Sequence, residues 1–230
     1  MSKLLKKLEK KLQNCQKCGL GKTRTNLVFG EGSSQADLMF IGEGPGQRED
    51  ELGKPFVGAA GKLLDEMLES IDLTREEVYI ANVVKCRPPG NRDPLPDEVK
   101  ACWPYLEQQL KEIKPKLIIL LGRHSLERFL PGQKISQAHG QALRRDFPGI
   151  GKQVFFVAYH PAAALYQGSL KTTLLEDFKR IPRILEKIEE EGGGKSKKDG
   201  KKITGIKNLQ EEDKRESERK KEKQGKLFGE

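Results

Sequence analysis

Leu38-Met39-Phe40-Ile41-Gly42-Glu43-Gly44-Pro45-Gly46 decides the fold, because four apolar residues run without alternation into a glycine-rich turn. An uninterrupted apolar run of this length reads as a strand buried on both faces, as in the middle of a parallel sheet. The pattern recurs at Val78-Tyr79-Ile80-Ala81-Asn82, Leu117-Ile118-Ile119-Leu120-Leu121-Gly122 and Val154-Phe155-Phe156-Val157-Ala158-Tyr159. Helical patterns separate these runs: Ala60 to Ile71, Pro96 to Ile113 with Asp97 and Glu98 in its first turn, and Ser125 to Leu130. A last helix, Thr172 to Glu190, offers Leu174, Phe178, Ile181, Ile184 and Ile188 to the sheet. The alternation predicts the α/β class: a single three-layer α/β/α domain over residues 1–190, built on a central, mostly parallel four-stranded sheet.

The length, 230 residues, suits one domain with a sizeable core plus appendages. A net charge of +9 favours a polyanionic partner, although such charge attracts membranes and RNA as well as DNA. No stretch approaches the roughly 18 to 20 apolar residues of a membrane span. Met1 to Gln13 is lysine-rich and amphipathic, without the apolar core of a signal peptide. An intracellular, cytoplasmic monomer with no membrane association is expected. From Glu191 onward the chain holds 13 Lys or Arg, 9 Asp or Glu and one aromatic, Phe228, after the run Gly192-Gly193-Gly194. Such a segment buries too little apolar surface to offset its ordering entropy, so residues 191–230 are expected to be a charged, disordered tail.

Cys15 and Cys18 form a C-x2-C pair, and Cys86 and Cys102 bracket Arg87 to Ala101. In a reducing compartment, paired cysteines point to metal rather than to disulfides. Four thiolates suit either a tetrahedral zinc or a four-iron cluster, and spacing does not separate the two. In either case the site would clip the N-terminal segment and the Cys86–Cys102 loop onto the sheet, a structural role.

In an open parallel sheet, ligands bind beyond the carboxyl ends of the strands, and three polar or glycine-rich features fall at such ends. The first strand leads into Gly42 to Gly46 and then Gln47-Arg48-Glu49-Asp50, with Lys54-Pro55-Phe56-Val57-Gly58 close behind. The second ends at Asn82, whose amide both donates and accepts. The fourth ends at His160-Pro161-Ala162-Ala163-Ala164. Each residue also has a plainer reading: Glu43 as a solvated loop acid, Asn82 as a turn former, His160 as a helix cap, Phe56 as core. His124 and His139 read as a helix-start and a loop histidine.

Together, Gly42-Glu43-Gly44-Pro45-Gly46 with Glu49-Asp50, Pro55-Phe56-Val57-Gly58, Asn82 shortly before Cys86, and His160-Pro161 resemble the family 4 uracil-DNA glycosylases. The resemblance takes in Cys15-x2-Cys18, Thr23-Arg24-Thr25, Val28-Phe29-Gly30-Glu31-Gly32 and the Cys86–Cys102 spacing, over about residues 10 to 190. It implies a [4Fe-4S] cluster on Cys15, Cys18, Cys86 and Cys102. It also implies a uracil-DNA glycosylase that flips uracil from DNA, hydrolyses its N-glycosidic bond and leaves an abasic site, the first step of base excision repair. Substrate binding would fall to Gly42, Glu43, Gly44, Phe56, Asn82 and His160. Phe56 would stack on the base, Asn82 bond its edge, and His160 donate to the oxygen that gains charge. Better-known uracil glycosylases carry an aspartate where Gly44 stands, so Glu43, then Glu49, is the candidate for positioning water. No lysine of these motifs suggests a Schiff base, which implies a monofunctional enzyme. Arg87 to Arg92 and Ala162 to Lys171 would meet DNA, with Leu165 and Tyr166 as wedge candidates.

In the tail, Gln224-Gly225-Lys226-Leu227-Phe228 resembles a shortened sliding-clamp binding motif, with Gln224, Leu227 and Phe228 as the partner contacts. Competing readings are a superfamily protein that binds or traps uracil without turnover, and an inactive nucleic-acid-binding module. Trapping relatives carry a histidine in the loop before the last cysteine, and Arg87 to Ala101 has none.

Overall fold

A computed structural model describes residues 2–191 of the chain. Among these, six strands form one sheet: β1 (Glu31–Gly32), β2 (Leu38–Gly42), β3 (Tyr79–Asn82), β4 (Leu117–Leu121), β5 (Ala142–Phe147) and β6 (Gly151–Ala158), in the order β1-β3-β2-β4-β6-β5. The four apolar runs are the inner strands and pair in parallel, with Met39 opposite both Tyr79 and Ile118, and Ile118 opposite Phe155. The expected four-stranded sheet is therefore corrected to six, since β1 and β5 add antiparallel edges. Neither edge carries an apolar run: β1 is two residues long, and most of Ala142–Phe147 is exposed.

The helices are α1 (Lys3–Leu12), α2 (Leu20–Thr23), α3 (Gln47–Leu52), α4 (Ala59–Glu69), α5 (Pro96–Ile113), α6 (Arg123–Phe129), α7 (Ile135–Ala138), α8 (Pro161–Tyr166), α9 (Gly168–Phe178) and α10 (Ile181–Glu191). Successive strand residues face opposite ways, so the sheet needs cover on both sides. Met39, Ile41, Ile118 and Phe155 share one core with Leu5 of α1, Leu106 and Leu110 of α5 and Leu126 of α6. On the other face Phe40 stacks on Phe178 of α9, with ring centroids 5.8 Å apart, and α9 packs against α4. The three-layer α/β/α arrangement follows.

The expected single helix from Thr172 to Glu190 is two helices, broken at Lys179 and Arg180. Pro182 explains the break: in one continuous helix its ring would strike the carbonyl of Phe178. Leu174, Phe178 and Ile181 are buried as expected, Leu185 joins them, and Ile184 is only half-buried. Residues up to Leu185 form one compact unit, and the segment from Glu186 is described only as the end of α10. No helix among the described residues is long and apolar enough to cross a membrane. The tail beyond Glu191, including Gln224, Leu227 and Phe228, lies outside the described residues.

From β2 the chain moves one way along the sheet to β3, and from β4 it moves the other way to β6. The carboxyl ends of the adjacent strands β2 and β4 therefore flank a topological switch point, where an α/β sheet opens a crevice.

Candidate active site and cysteine cavity

A cleft of about 270 Å3 opens at these strand ends, with Glu43, Gly44, Glu49, Phe56, Asn82 and His160 in its wall. Gly42 backs it. A Cβ on Gly42 would lie 2.5 Å from Asn82 Oδ1 and 2.7 Å from Phe56 Cζ, so the side chains of the wall close in only because this residue has none. Six of the residues singled out from sequence thus converge, although they come from loops after three strands.

Asn82 ends β3 and is 2 % exposed, yet its Oδ1 has no hydrogen-bond partner. A buried acceptor left unmet costs about 1–3 kcal/mol, which marks this oxygen as one that an incoming N–H would satisfy. Phe56 sits at φ +51°, a conformation an aromatic residue adopts only when held there. The holding group is Arg75, whose guanidinium donates to the carbonyls of Pro55 at 2.5 Å and Phe56 at 3.0 Å, and pairs with Glu31 and Asp65. The Phe56 ring stacks against His160, centroids 5.5 Å apart and planes 29° from parallel.

His160 is the N-cap of α8, and its Nδ1 accepts the backbone N–H of Ala162 at 3.1 Å. The cap reading made from sequence holds, and it fixes the tautomer: with Nδ1 accepting, the proton of the neutral ring belongs on Nε2. Protein packed around the ring lowers its pKa to about 4, the opposing pull of Glu49 being smaller, so the imidazole is neutral at pH 7. Glu49, on α3, accepts the backbone N–H groups of Val57 and Gly58 on one oxygen, each at 2.8 Å, and so ties the first loop to the Phe56 loop.

Glu43 is half-buried, and its pKa is raised to about 7, chiefly by burial and then by the charge of Asp93, against the opposing pull of Arg123. His124 Nε2 stands 3.4 Å from Glu43 Oε2 and 3.2 Å from Asp93 Oδ1, and Arg123 pairs with Asp93 at 2.8 Å. His124 does start a helix, as expected, but its approach to Glu43 was not legible. No motif links it to Asp93, and the start of α6 meets the loop of Asp93 only through the parallel crossover. His139 follows α7 and pairs with the buried Asp177 at 2.8 Å. Leu165 and Tyr166, at the end of α8, are 50 % and 92 % exposed, free of the core.

Cys15 and Cys18 fall between α1 and α2, Cys86 follows β3, and Cys102 lies in α5; all four line one small cavity and none is in a disulfide. Arg24 donates to Cys86 Sγ at 3.1 Å, and the Lys85 backbone N–H to Cys102 Sγ at 3.3 Å. Beside the cavity the Lys85 side chain is fully buried and donates to the Asn82 carbonyl at 2.9 Å.

The model of the uracil DNA glycosylase superfamily matches residues 29–180. The type-4 uracil-DNA glycosylase of Sulfurisphaera tokodaii is 47 % identical over 186 residues, covering 78 % of this chain and 84 % of the relative. The type-4 enzyme of Archaeoglobus fulgidus is 47 % identical over 184 residues, 77 % of this chain and 92 % of the relative. That of Thermotoga maritima is 41 % identical over 186 residues, covering 80 % and 96 %. The chain belongs to the type-4 uracil-DNA glycosylases. The superfamily match encloses every cleft residue named above together with Cys86 and Cys102, and begins after Cys15 and Cys18. In this type-4 chain, then, the cleft belongs to the superfamily frame, and half of the cysteine site lies on the segment before it.

Proposed function

We propose that this protein flips uracil out of DNA and hydrolyses its N-glycosidic bond, leaving an abasic site as the first step of base excision repair. The observation that carries the reading is the pairing, in one cleft, of an unmet acceptor on Asn82 with a neutral His160 whose only free ring nitrogen bears a proton. Uracil presents an N–H beside two carbonyls, so one wall accepts from the base edge while the other donates to a carbonyl oxygen. Phe56 supplies an aromatic face for the flipped ring.

The C1′–N1 bond breaks with its electron pair passing to uracil, and the negative charge spreads onto the carbonyl oxygens. His160 Nε2–H stabilises that charge as it develops, a donor already oriented and desolvated before the reaction. Water adds to C1′ and loses a proton. Glu43, ionised above about pH 7, is the group of the cleft suited to orient that water and accept its proton. Glu49 acts instead as a positioning residue, since one of its oxygens already holds the Phe56 loop. Asn91 and Arg92 line the same cleft and suit the phosphates that flank a flipped nucleotide.

Cys15, Cys18, Cys86 and Cys102 would hold a [4Fe-4S] cluster in a structural role. All four thiols line one small cavity and none is in a disulfide, a donor set that fits a thiolate-held cluster. Contact with a sliding clamp through Gln224, Leu227 and Phe228 belongs to the same proposal; absence of binding between a peptide of residues 215–230 and a cognate clamp would end it.

The deciding assay incubates the purified protein with uracil-containing and matched thymine-containing oligonucleotides, then cleaves abasic sites with alkali. Strand breaks confined to the uracil oligonucleotide are expected. Equal breakage, or none, would refute the activity.

A further inference from the structure

We propose that Lys85 is a positioning residue for base recognition, its buried ammonium holding the end of β3 so that the Asn82 side chain is fixed in the cleft. The inference rests on the reading of Asn82 given above and adds what keeps that amide in place.

Lysine is almost never fully buried unless it is paired, yet Lys85 is 0 % exposed and no ion pair to a carboxylate holds it among the described residues. Its hydrogen-bond partner is the carbonyl of Asn82, three residues back, at 2.9 Å. That carbonyl belongs to the last residue of β3, where the strand ladder stops and a buried acceptor must find a donor elsewhere. The lysine side chain therefore folds back along its own chain and closes a ring over Val83 and Val84. The backbone N–H groups of these two valines donate to the carbonyls of Gly42 at 3.0 Å and Glu43 at 3.1 Å. The segment that presents Asn82 is thus stitched on one side to the glycine loop and closed on the other by an ammonium.

The same residue reaches the cysteine cavity. Its backbone N–H donates to Cys102 Sγ at 3.3 Å, its carbonyl accepts from Val28 at 2.9 Å, and Cys86 follows it directly. One residue so joins the wall of the cysteine cavity to the wall of the cleft. The consequence is specific: loss of the ammonium frees the Asn82 carbonyl, and the side-chain amide loses its fixed aim at the base edge.

The test is a double-mutant cycle on the full chain, carrying its native cofactor, with free uracil as the probe. Inhibition of excision by added uracil measures affinity, and iron content with visible absorbance reports the cysteine site. Lys85→Met keeps the stem and removes the donor. It is expected to weaken uracil inhibition about tenfold, the worth of one hydrogen bond to a charged group. Iron per chain should stay at the wild-type level. Asn82→Ala weakens inhibition as well, and the double variant should be no weaker than Asn82→Ala alone, because Lys85 acts through Asn82. Additive losses in the double variant would show that Lys85 acts on uracil binding independently of Asn82 and would overturn the proposal. Unchanged inhibition in Lys85→Met would overturn it too. Lys85→Gln retains a shorter neutral donor and should fall between wild type and Lys85→Met; loss of the fold in both neutral variants would make Lys85 a structural charge and refute the positioning role. Should Asn82→Ala itself leave inhibition unchanged, the reading of Asn82 fails first, and that result is distinct from the others.

Discussion

Asn82 and His160 supply opposite halves of a hydrogen-bonding pattern, and each is in its working state before any ligand arrives. For His160 the reason is local: the Ala162 N–H occupies Nδ1 and surrounding protein keeps the ring neutral. Removing such a preorganised donor costs about 10²–10³ in rate. His160→Ala should therefore lose that much in single-turnover excision of uracil while keeping the wild-type melting temperature; a loss under threefold would remove His160 from the chemistry. Glu43 gives a prediction with a sign. Its carboxyl titrates at about 7, and if ionised Glu43 positions the water, the rate rises as pH passes through that value and then levels. Asp93 opposes ionisation of Glu43 and Arg123 favours it. Asp93→Asn should consequently move the rising limb of the pH–rate curve to lower pH, and Arg123→Ala should move it higher. Shifts in the same direction for both would show that the limb belongs to another group. At this scale the sequence exposed residues that follow a strand directly and hid those that reach the site sideways. Glu43, Asn82 and His160 were legible by position, whereas Asp93 and Arg75 on loops and His124 at the start of α6 come from segments whose meeting depends on how strands cross over.

The inner strands could be read because a strand covered on both faces has no reason to alternate. The edge strands could not: β5 exposes Arg144 and Arg145 and carries no core signal. The break between α9 and α10 was written in Pro182, but the apolar spacing of Phe178 and Ile181 runs across it and imitates one helix. The short α8 shows what an element can do beyond its residues. His160 caps its start, and six residues later it ends with Leu165 and Tyr166 exposed. One rigid turn of helix thus ties the donor in the cleft to two apolar side chains outside it. A wedge serves only where a base must leave a stack, at a few kcal/mol per unstacked step. Leu165→Ala should accordingly slow excision from duplex DNA by about tenfold, with little change on single-stranded DNA. An equal loss on both substrates would mean that Leu165 supports the fold of α8 instead.

Across the whole molecule, the cysteine cavity and the cleft share the segment from Asn82 to Cys86, so folding and recognition are linked through one stretch of chain. Cys15 and Cys18 follow α1, whose Leu5, Leu8 and Leu12 are buried, and Cys102 sits in α5, which packs against α1. A group bound by all four thiolates closes loops between residues 15, 86 and 102, and such closure removes freedom from the unfolded chain. Without it the thiols of Cys86 and Cys102 rise in pKa through burial, Cys102 to about 11, so these sulfurs are protonated at pH 7 and bind metal only by releasing protons. Binding energy at such a site is folding energy. If the four thiolates hold the proposed cluster, its removal by oxidation and chelation should lower the melting temperature. At roughly 2–4 °C per kcal/mol for a domain of this size, a loss of about 5 kcal/mol would appear as a drop of roughly 10–20 °C. Cys102→Ser should reproduce the drop. Excision by the stripped protein should fall as well, through misplacement of Asn82, because no step of the reaction requires electron transfer. Stripped protein that melts with the holoprotein would show that the four cysteines do not brace the fold; stripped protein that melts lower but excises uracil at the full rate would show that cavity and cleft are independent.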